Sequence, residues 1–154
     1  MEIITYRSEY KNDFIQLNLA WIEKFFKIEQ ADIDMLEHIE EYITKGAMVY
    51  FAIENGKVLA TCMIEPHDND IWEICKLASA GQYTGTGAGS AVFEASLNYA
   101  AEHGAQKIIL VTASKLKPAL HIYKKYGFIE VPLNKEEWPY ERAELVFEKV
   151  IKEI

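Results

Sequence analysis

The stretch Trp72–Phe93, WEICKLASAGQYTGTGAGSAVF, decides how the chain is read. Trp72 to Ser79 is an apolar, strand-like run. Gly85, Gly87 and Gly89 punctuate a turn, and the residues up to Phe93 open a helix. The first N–H groups of a helix have no intrahelical partner and sit at its positive end, so a strand, a glycine turn and a helix in succession form a cradle for an anion.

The neighbouring residues decide which anion. A P-loop needs Gly-x-x-x-x-Gly-Lys-Ser/Thr, and here Gly89 is followed by Ser90 with no lysine. A dinucleotide fingerprint needs a third Gly or Ala and an acidic residue after the next strand. Gly85 and Gly87 fit it, but Ser90 stands third, and Thr112, Ala113 and Ser114 follow the next strand. Two antiparallel hairpins also precede the turn, where a Rossmann unit would start with a parallel one.

Those hairpins are read from local chemistry. Ala47–Glu54 and Lys57–Glu65 are β-rich and flank Asn55-Gly56, a pair that accepts the positive φ angles of a type I′ turn. Pro66 ends the second run, His67 to Asp70 form a polar turn, and Ile71 to Ser79 returns as a strand. His67, Asp68 and Asp70 read as turn residues and not as metal ligands, because no spaced second cluster accompanies them. A hairpin symmetrical about Asp68 and Asn69 would set Cys62 opposite Cys75, although both read first as reduced, buried thiols.

Before the hairpins, Glu2–Arg7 suits a short strand. Phe14, Leu17, Ala20, Trp21 and Phe25 give a helix from Ser8 to about Lys27, with Ser8 as its cap. A second helix is expected from Asp32 to about Lys45, stopped by Gly46. After the glycine turn, a helix ends at Gly104 and KIILVT at Lys107–Thr112 reads as a strand covered on both faces. Pro118 opens a helix to Lys125, and Phe128–Leu133 and Ala143–Val150 are the last strands. With 154 residues, half of them apolar, the expectation is one domain, 1–154.

The net charge of −8 argues against nucleic-acid or anionic-membrane binding and suits a cationic substrate. No apolar run reaches the roughly 18 residues of a membrane span, and MEIITYRSEY lacks the form of a signal peptide. A cytoplasmic protein is expected, and apolar edge strands permit a homodimer.

Two segments together resemble the GNAT acetyltransferases. Tyr83, Thr84, Gly85, Thr86, Gly87, Ala88 and Gly89 resemble the family's acetyl-CoA pyrophosphate loop, Arg/Gln-x-x-Gly-x-Gly/Ala. Ala119 to Phe128, ALHIYKKYGF, is similar to its second signature, Ala-x-x-x-Tyr-x-Lys-x-Gly-Phe. Thr84 replaces the usual Arg or Gln, and Leu116 stands where an asparagine often precedes the second motif.

The resemblance implies an α/β (α+β) GNAT fold, with a mixed, mostly antiparallel sheet of about seven strands flanked by about four helices. It implies an N-acetyltransferase using acetyl-CoA (coenzyme A) and an amine in a small molecule or peptide, by direct attack in a ternary complex. A catalytically degenerate acyl-CoA-binding sensor is the alternative. By the same resemblance, Leu77, Ala78 and Ser79 line the pantetheine, and Thr84 to Ser90 surround the pyrophosphate. Leu116, Ala119, Tyr123 and Lys125 complete the cofactor site, and Tyr123 is the general acid. Glu73, in an apolar strand where burial would raise a carboxyl pKa, is the candidate base. Glu65, Tyr140 and Arg142 fall where acceptor pockets are often built.

Overall fold

The computed structural model describes residues 1–80, 85–138 and 142–151. Seven strands form one sheet in the order β1-β2-β3-β4-β5-β7-β6. They are β1 Glu2–Thr5, β2 Met48–Glu54, β3 Lys57–Pro66, β4 Ile71–Ser79, β5 Lys107–Thr112, β6 Ile129–Val131 and β7 Leu145–Val150. The helices are α1 Lys11–Phe25, α2 Gln30–Glu37, α3 Ile39–Thr44, α4 Ala88–Glu102 and α5 Lys117–Lys125. This is the mixed, mostly antiparallel sheet expected, since only β4 and β5 run parallel.

Alternation along the strands divides the core in two. Ala60, Cys62 and Ile64 of β3 join Trp72 and Ile74 of β4 beneath α4 and α5. Val49, Phe51 and Met63 pack with Phe14, Leu36 and Ile39 beneath the N-terminal helices. The thiols therefore lie on opposite faces, Cys62 in the first cluster and Cys75 against the second, and both are free. Met63, not Cys62, faces Cys75, because the register is centred one residue away from the symmetrical hairpin.

Two N-terminal expectations need correction. Ser8–Tyr10 is a 3-10 turn, and α1 begins at Lys11 without a side-chain cap. The helix expected from Asp32 to Lys45 is two helices, which makes five α-helices among the described residues. It starts earlier because Glu29 and Asp32 form a reciprocal capping box. It breaks at His38, where the backbone N–H and ring Nδ1 both turn to Asp34 O, at 3.1 and 2.7 Å. At the other end, β6 is only three residues long. On β5, Ile108, Leu110 and Thr112 are buried while the alternate residues are half-buried, so the strand is fully covered on one face only.

The feature that positions the site is a fork in the sheet. β4 pairs with β5 only from Ile71 to Glu73, against Lys107 to Ile109. Beyond that, β4 stays with β3 as far as Ser79, while β5 stays with β7 as far as Thr112. A bulge at Lys76, whose φ is +55°, accompanies the separation and moves Leu77 onto the face of Ile74. Among the described residues, no strand pairs with the open edge of β4 after Glu73.

Candidate active site

The fork opens into a cleft of about 310 Å3. Ile74, Cys75, Leu77, Ala78 and Ser79 of β4 form one wall, with Val111 and Thr112 of β5 opposite. Ala20, Trp21, Lys24 and Phe25 of α1 line it too, as do Gly89 of α4 and Leu116, Pro118, Ala119, Ile122 and Tyr123 at α5. A second hollow, of about 440 Å3, lies around α2 and α3, but it contains no residue of the glycine turn or of α5. The fork, by contrast, is lined by Tyr123 of α5 and Gly89 of α4.

Each wall has a local cause. Pro118 starts α5, and the left-handed Gly127 (φ +84°) ends it, so Tyr123 falls on the buried stripe. Its ring packs against Phe93, Phe128 and Phe147, with centroids 5.5, 6.5 and 6.0 Å away. Tyr123 is only 6% exposed, and burial, then the nearby Cys62 sulfur, push its phenol pKa well above the usual tyrosine range. A phenol so placed stays protonated at neutral pH and is available as a donor. In α1, buried Asn18 gives its amide N–H to Phe14 O at 2.8 Å and accepts from Trp21 Nε1 at 3.3 Å, which fixes the indole in the cleft wall.

The glycine turn meets α4 at the mouth. Gly85 and Gly87 have φ of +89° and +87°, and a Cβ on either would meet nothing within 4 Å. The left-handed Gly87 is the helix N-cap, with no side-chain cap hydrogen bond, and Thr86 Oγ1 accepts from Ala88 N–H at 3.3 Å. The turn thus has a backbone that requires glycine and open space in front of it.

Of the residues expected in the site, Leu77, Ala78, Ser79, Gly89, Leu116, Ala119 and Tyr123 converge on the cleft. Gly85, Thr86, Gly87, Ala88 and Ser90 form the adjoining turn and first helical turn. Tyr83, Thr84 and Tyr140 lie outside the described residues. Lys125 does not join them: it sits exposed at the end of α5, its ammonium 5.5 Å from the Tyr126 ring.

Glu73 is not in the cleft lining either. It faces Glu65 across β3 and β4 and accepts a hydrogen bond from His67 Nε2 at 2.8 Å; Glu65 is 3.9 Å from the same nitrogen. Burial and the Glu73 charge raise the Glu65 carboxyl pKa. Glu73 lies two residues before Cys75 on β4 and pairs with Glu65, so the two carboxylates stand beside the Cys75 end of the cleft; burial, then their charges, push the Cys75 thiol up. His67, read from sequence as a turn residue alone, also bridges this pair.

The His67 pKa is raised chiefly by its Glu73 hydrogen bond, against burial and with help from the Glu73, Glu65 and Asp68 charges. A raised folded-state pKa adds stability below the ordinary histidine value of about 6.5, and this is lost as pH rises through the shifted value. Melting temperatures of the native chain and His67→Gln should therefore converge as the pH is raised from acidic to alkaline. A gap that is constant with pH would remove the ion pair from this role.

Arg142 ties the segment before β7 to the α1–α2 connection. Its guanidinium grips Asp32 at 2.9 and 2.8 Å and Lys27 O at 2.6 Å, and Lys115 Nζ reaches Phe25 O at 2.5 Å. Both cations lie over the Phe26 ring, 4.1 Å (Lys115) and 5.3 Å (Arg142) from its centroid. Burial works to raise the Asp32 pKa, but Arg142 and a Glu29 backbone hydrogen bond hold it low. Arg142→Ala would leave this half-buried carboxylate without its cation, held only by the Glu29 N–H, and should cost about 1–2 kcal/mol in chemical denaturation. Unchanged stability would show that the strap contributes nothing.

The comparison with known families decides the kinship: residues 15–128 match the Acetyltransferase (GNAT) family. This chain belongs to the GNAT acetyltransferase family. A GNAT-family acetyltransferase from Staphylococcus aureus Mu50 superposes with a TM-score of 0.87 at 23% identity, over 98% of this chain and 99% of that one. The Salmonella typhimurium protein yncA, solved with its cofactor acetyl-CoA, superposes with a TM-score of 0.77 at 14% identity, over 100% and 95% of the two chains. These likenesses support the GNAT fold. Mycothiol acetyltransferase from Corynebacterium glutamicum (strain R) is 27% identical over 84 residues, which are 54% of this chain but 29% of that protein. The match therefore spans less than a third of that relative.

Family membership accounts for the fork, the glycine turn and the α5 motif occurring together. Sequence reasoning missed Trp21, Lys24 and Thr112 as cleft residues. Trp21 was legible only as part of a helix stripe, and Thr112 only as the end of an apolar strand. No residue pattern announced that the sheet would open between them. Among the described residues, no helix is long and apolar enough to cross a membrane.

Proposed function

We propose that this GNAT protein is an N-acetyltransferase that carries an acetyl group from acetyl-CoA to a primary amine, both held in the β4–β5 fork. The observation that carries this reading is the open β4 edge from Ile74 to Ser79, which lines one cleft with buried Tyr123 and with Gly89 in the first turn of α4. An extended amide-bearing arm can pair with such an edge as an added strand. The unfilled space at Gly85 and Gly87 and the N-terminal end of α4 suit a pyrophosphate. Bound there, acetyl-CoA would supply an activated acetyl thioester.

The chain's own residues divide the remaining work. Leu77, Ala78 and Ser79 align the arm through their backbone, and Gly85 to Ser90 hold the phosphates. Thr84 lies within this loop segment in sequence; Leu116 and Ala119 provide apolar packing. Lys125 is placed only at the outer end of α5, where its charge would act at long range. Tyr123 donates a proton to the departing sulfur, and Glu73, linked to His67, takes one from the acceptor ammonium directly or through water. The facing carboxylates of Glu65 and Glu73 favour a cationic amine as acceptor.

Free coenzyme A release should be measured across a panel of amines, beside thermal shifts with acetyl-CoA. A native-state ligand raises the melting temperature. Amine-dependent release supports transfer. A thermal shift without release for any amine would replace this reading with an acyl-CoA sensor, and no shift would remove both.

A further inference from the structure

Thr112 ends β5 at the point where the sheet has forked, and it lines the cleft together with Tyr123. It is 5% exposed, and its Oγ1 is the one buried side-chain polar atom among the described residues without a hydrogen-bond partner. The other fully buried polar side chains are satisfied: Asn18 by Phe14 O, Thr61 by Tyr50 O and Ser96 by Val92 O. A valine would fill the same volume on an apolar strand without an orphaned hydroxyl, which destabilises a fold when left unpaired. Thr112 and Tyr123 line the same cleft, and the threonine hydroxyl favours the ionised phenol, although no hydrogen bond of ordinary geometry joins the two side chains.

We propose that Thr112 is a positioning residue for Tyr123, its hydroxyl turning to donate a hydrogen bond to the phenol oxygen as that oxygen gives up its proton. The inference rests on the acetyl-transfer reading above. As the acceptor nitrogen bonds to the acetyl carbon, the carbon–sulfur bond breaks and its electron pair goes to sulfur. The Tyr123 proton passes to that sulfur and leaves a tyrosinate, and the proton lost by the acceptor nitrogen balances the one that restores the phenol. A tyrosinate is costly in this apolar setting among Phe93, Phe128 and Phe147. Thr112 is the buried donor in the cleft lining that can meet it.

The test pairs Thr112→Val with Thr112→Ser. Valine should lower kcat about tenfold, the scale of one hydrogen bond to a charged group, while acetyl-CoA affinity stays within about twofold and the melting temperature of the free protein holds or rises. Serine should restore most of the rate. With an acetyl donor whose thiol is more acidic than coenzyme A, the valine defect should shrink, because the sulfur then needs less help in leaving. Native turnover in Thr112→Val, a defect that serine does not rescue, or a lower melting temperature in the valine variant would overturn the proposal. If Tyr123→Phe is impaired while Thr112→Val is not, this inference alone fails. If the native protein turns over no amine, the acetyl-transfer reading fails and this inference falls with it.

Discussion

Replacing Tyr123 with Phe is expected to lower turnover by about 10²-fold or more while leaving acetyl-CoA binding and folding nearly intact. The ring interactions with Phe93, Phe128 and Phe147 survive the change, so the packing of α5 on the sheet does too. What is lost is one hydroxyl, in the cleft floor and held protonated by burial. General acid catalysis by a positioned side chain is worth about 10²–10⁴-fold, which sets the scale. Steady-state kinetics with calorimetric acetyl-CoA binding separates the two terms. Native turnover in this variant would remove Tyr123 from the acid role.

Gly87→Glu should weaken acetyl-CoA binding by about 100-fold. At φ +87° a non-glycine residue is strained, at about 1–2 kcal/mol, but a Cβ there meets nothing, so the fold should tolerate it. The new carboxylate would face the bound phosphates. Two like charges at about 4 Å repel by about 4 kcal/mol at an effective dielectric of 20, and exposure of the turn reduces this. Gly87→Ala carries the same strain without the charge and should stay within a few-fold of native affinity. Equal losses in the two variants would place the phosphates elsewhere.

Much of the fold was legible because its signals are local. Asn55-Gly56 specifies a tight hairpin, Pro118 and Gly127 bound α5, and the glycines before Ala88 set the start of α4. Where the reading slipped, a longer-range or competing interaction was responsible. His38 breaks a helix that its apolar spacing would continue, through its own side chain's bond to Asp34 O. The Cys62–Cys75 juxtaposition failed because a turn asymmetric by one residue exchanges the faces of a hairpin.

The candidate site was legible in its motif residues and opaque in its partners. Tyr123 and Leu77 to Ser79 line the cleft, whereas Glu73 sits beside it, engaged with His67. Thr112 and Trp21 gain their positions from the fork between β4 and β5, which depends on the Lys76 bulge and on which neighbour each strand keeps. Such a property belongs to the pairing of distant segments, and no single segment encodes it. The acidic net charge pointed to a cationic acceptor; among the described residues Lys24 is the one charged residue in the cleft lining, and the Glu65 and Glu73 carboxylates lie at its margin.

Acetyl-CoA is expected to occupy the fork, along the open edge of β4 and into the glycine turn. Hydrogen–deuterium exchange of the native protein with and without acetyl-CoA tests it most directly. The account predicts new protection at the amides of Leu77–Ser79 and of Gly85–Ser90, with little change around α2 and α3. Protection confined to the hollow around α2 and α3, or bound acetyl-CoA that leaves both β4 and the turn unprotected, would contradict it.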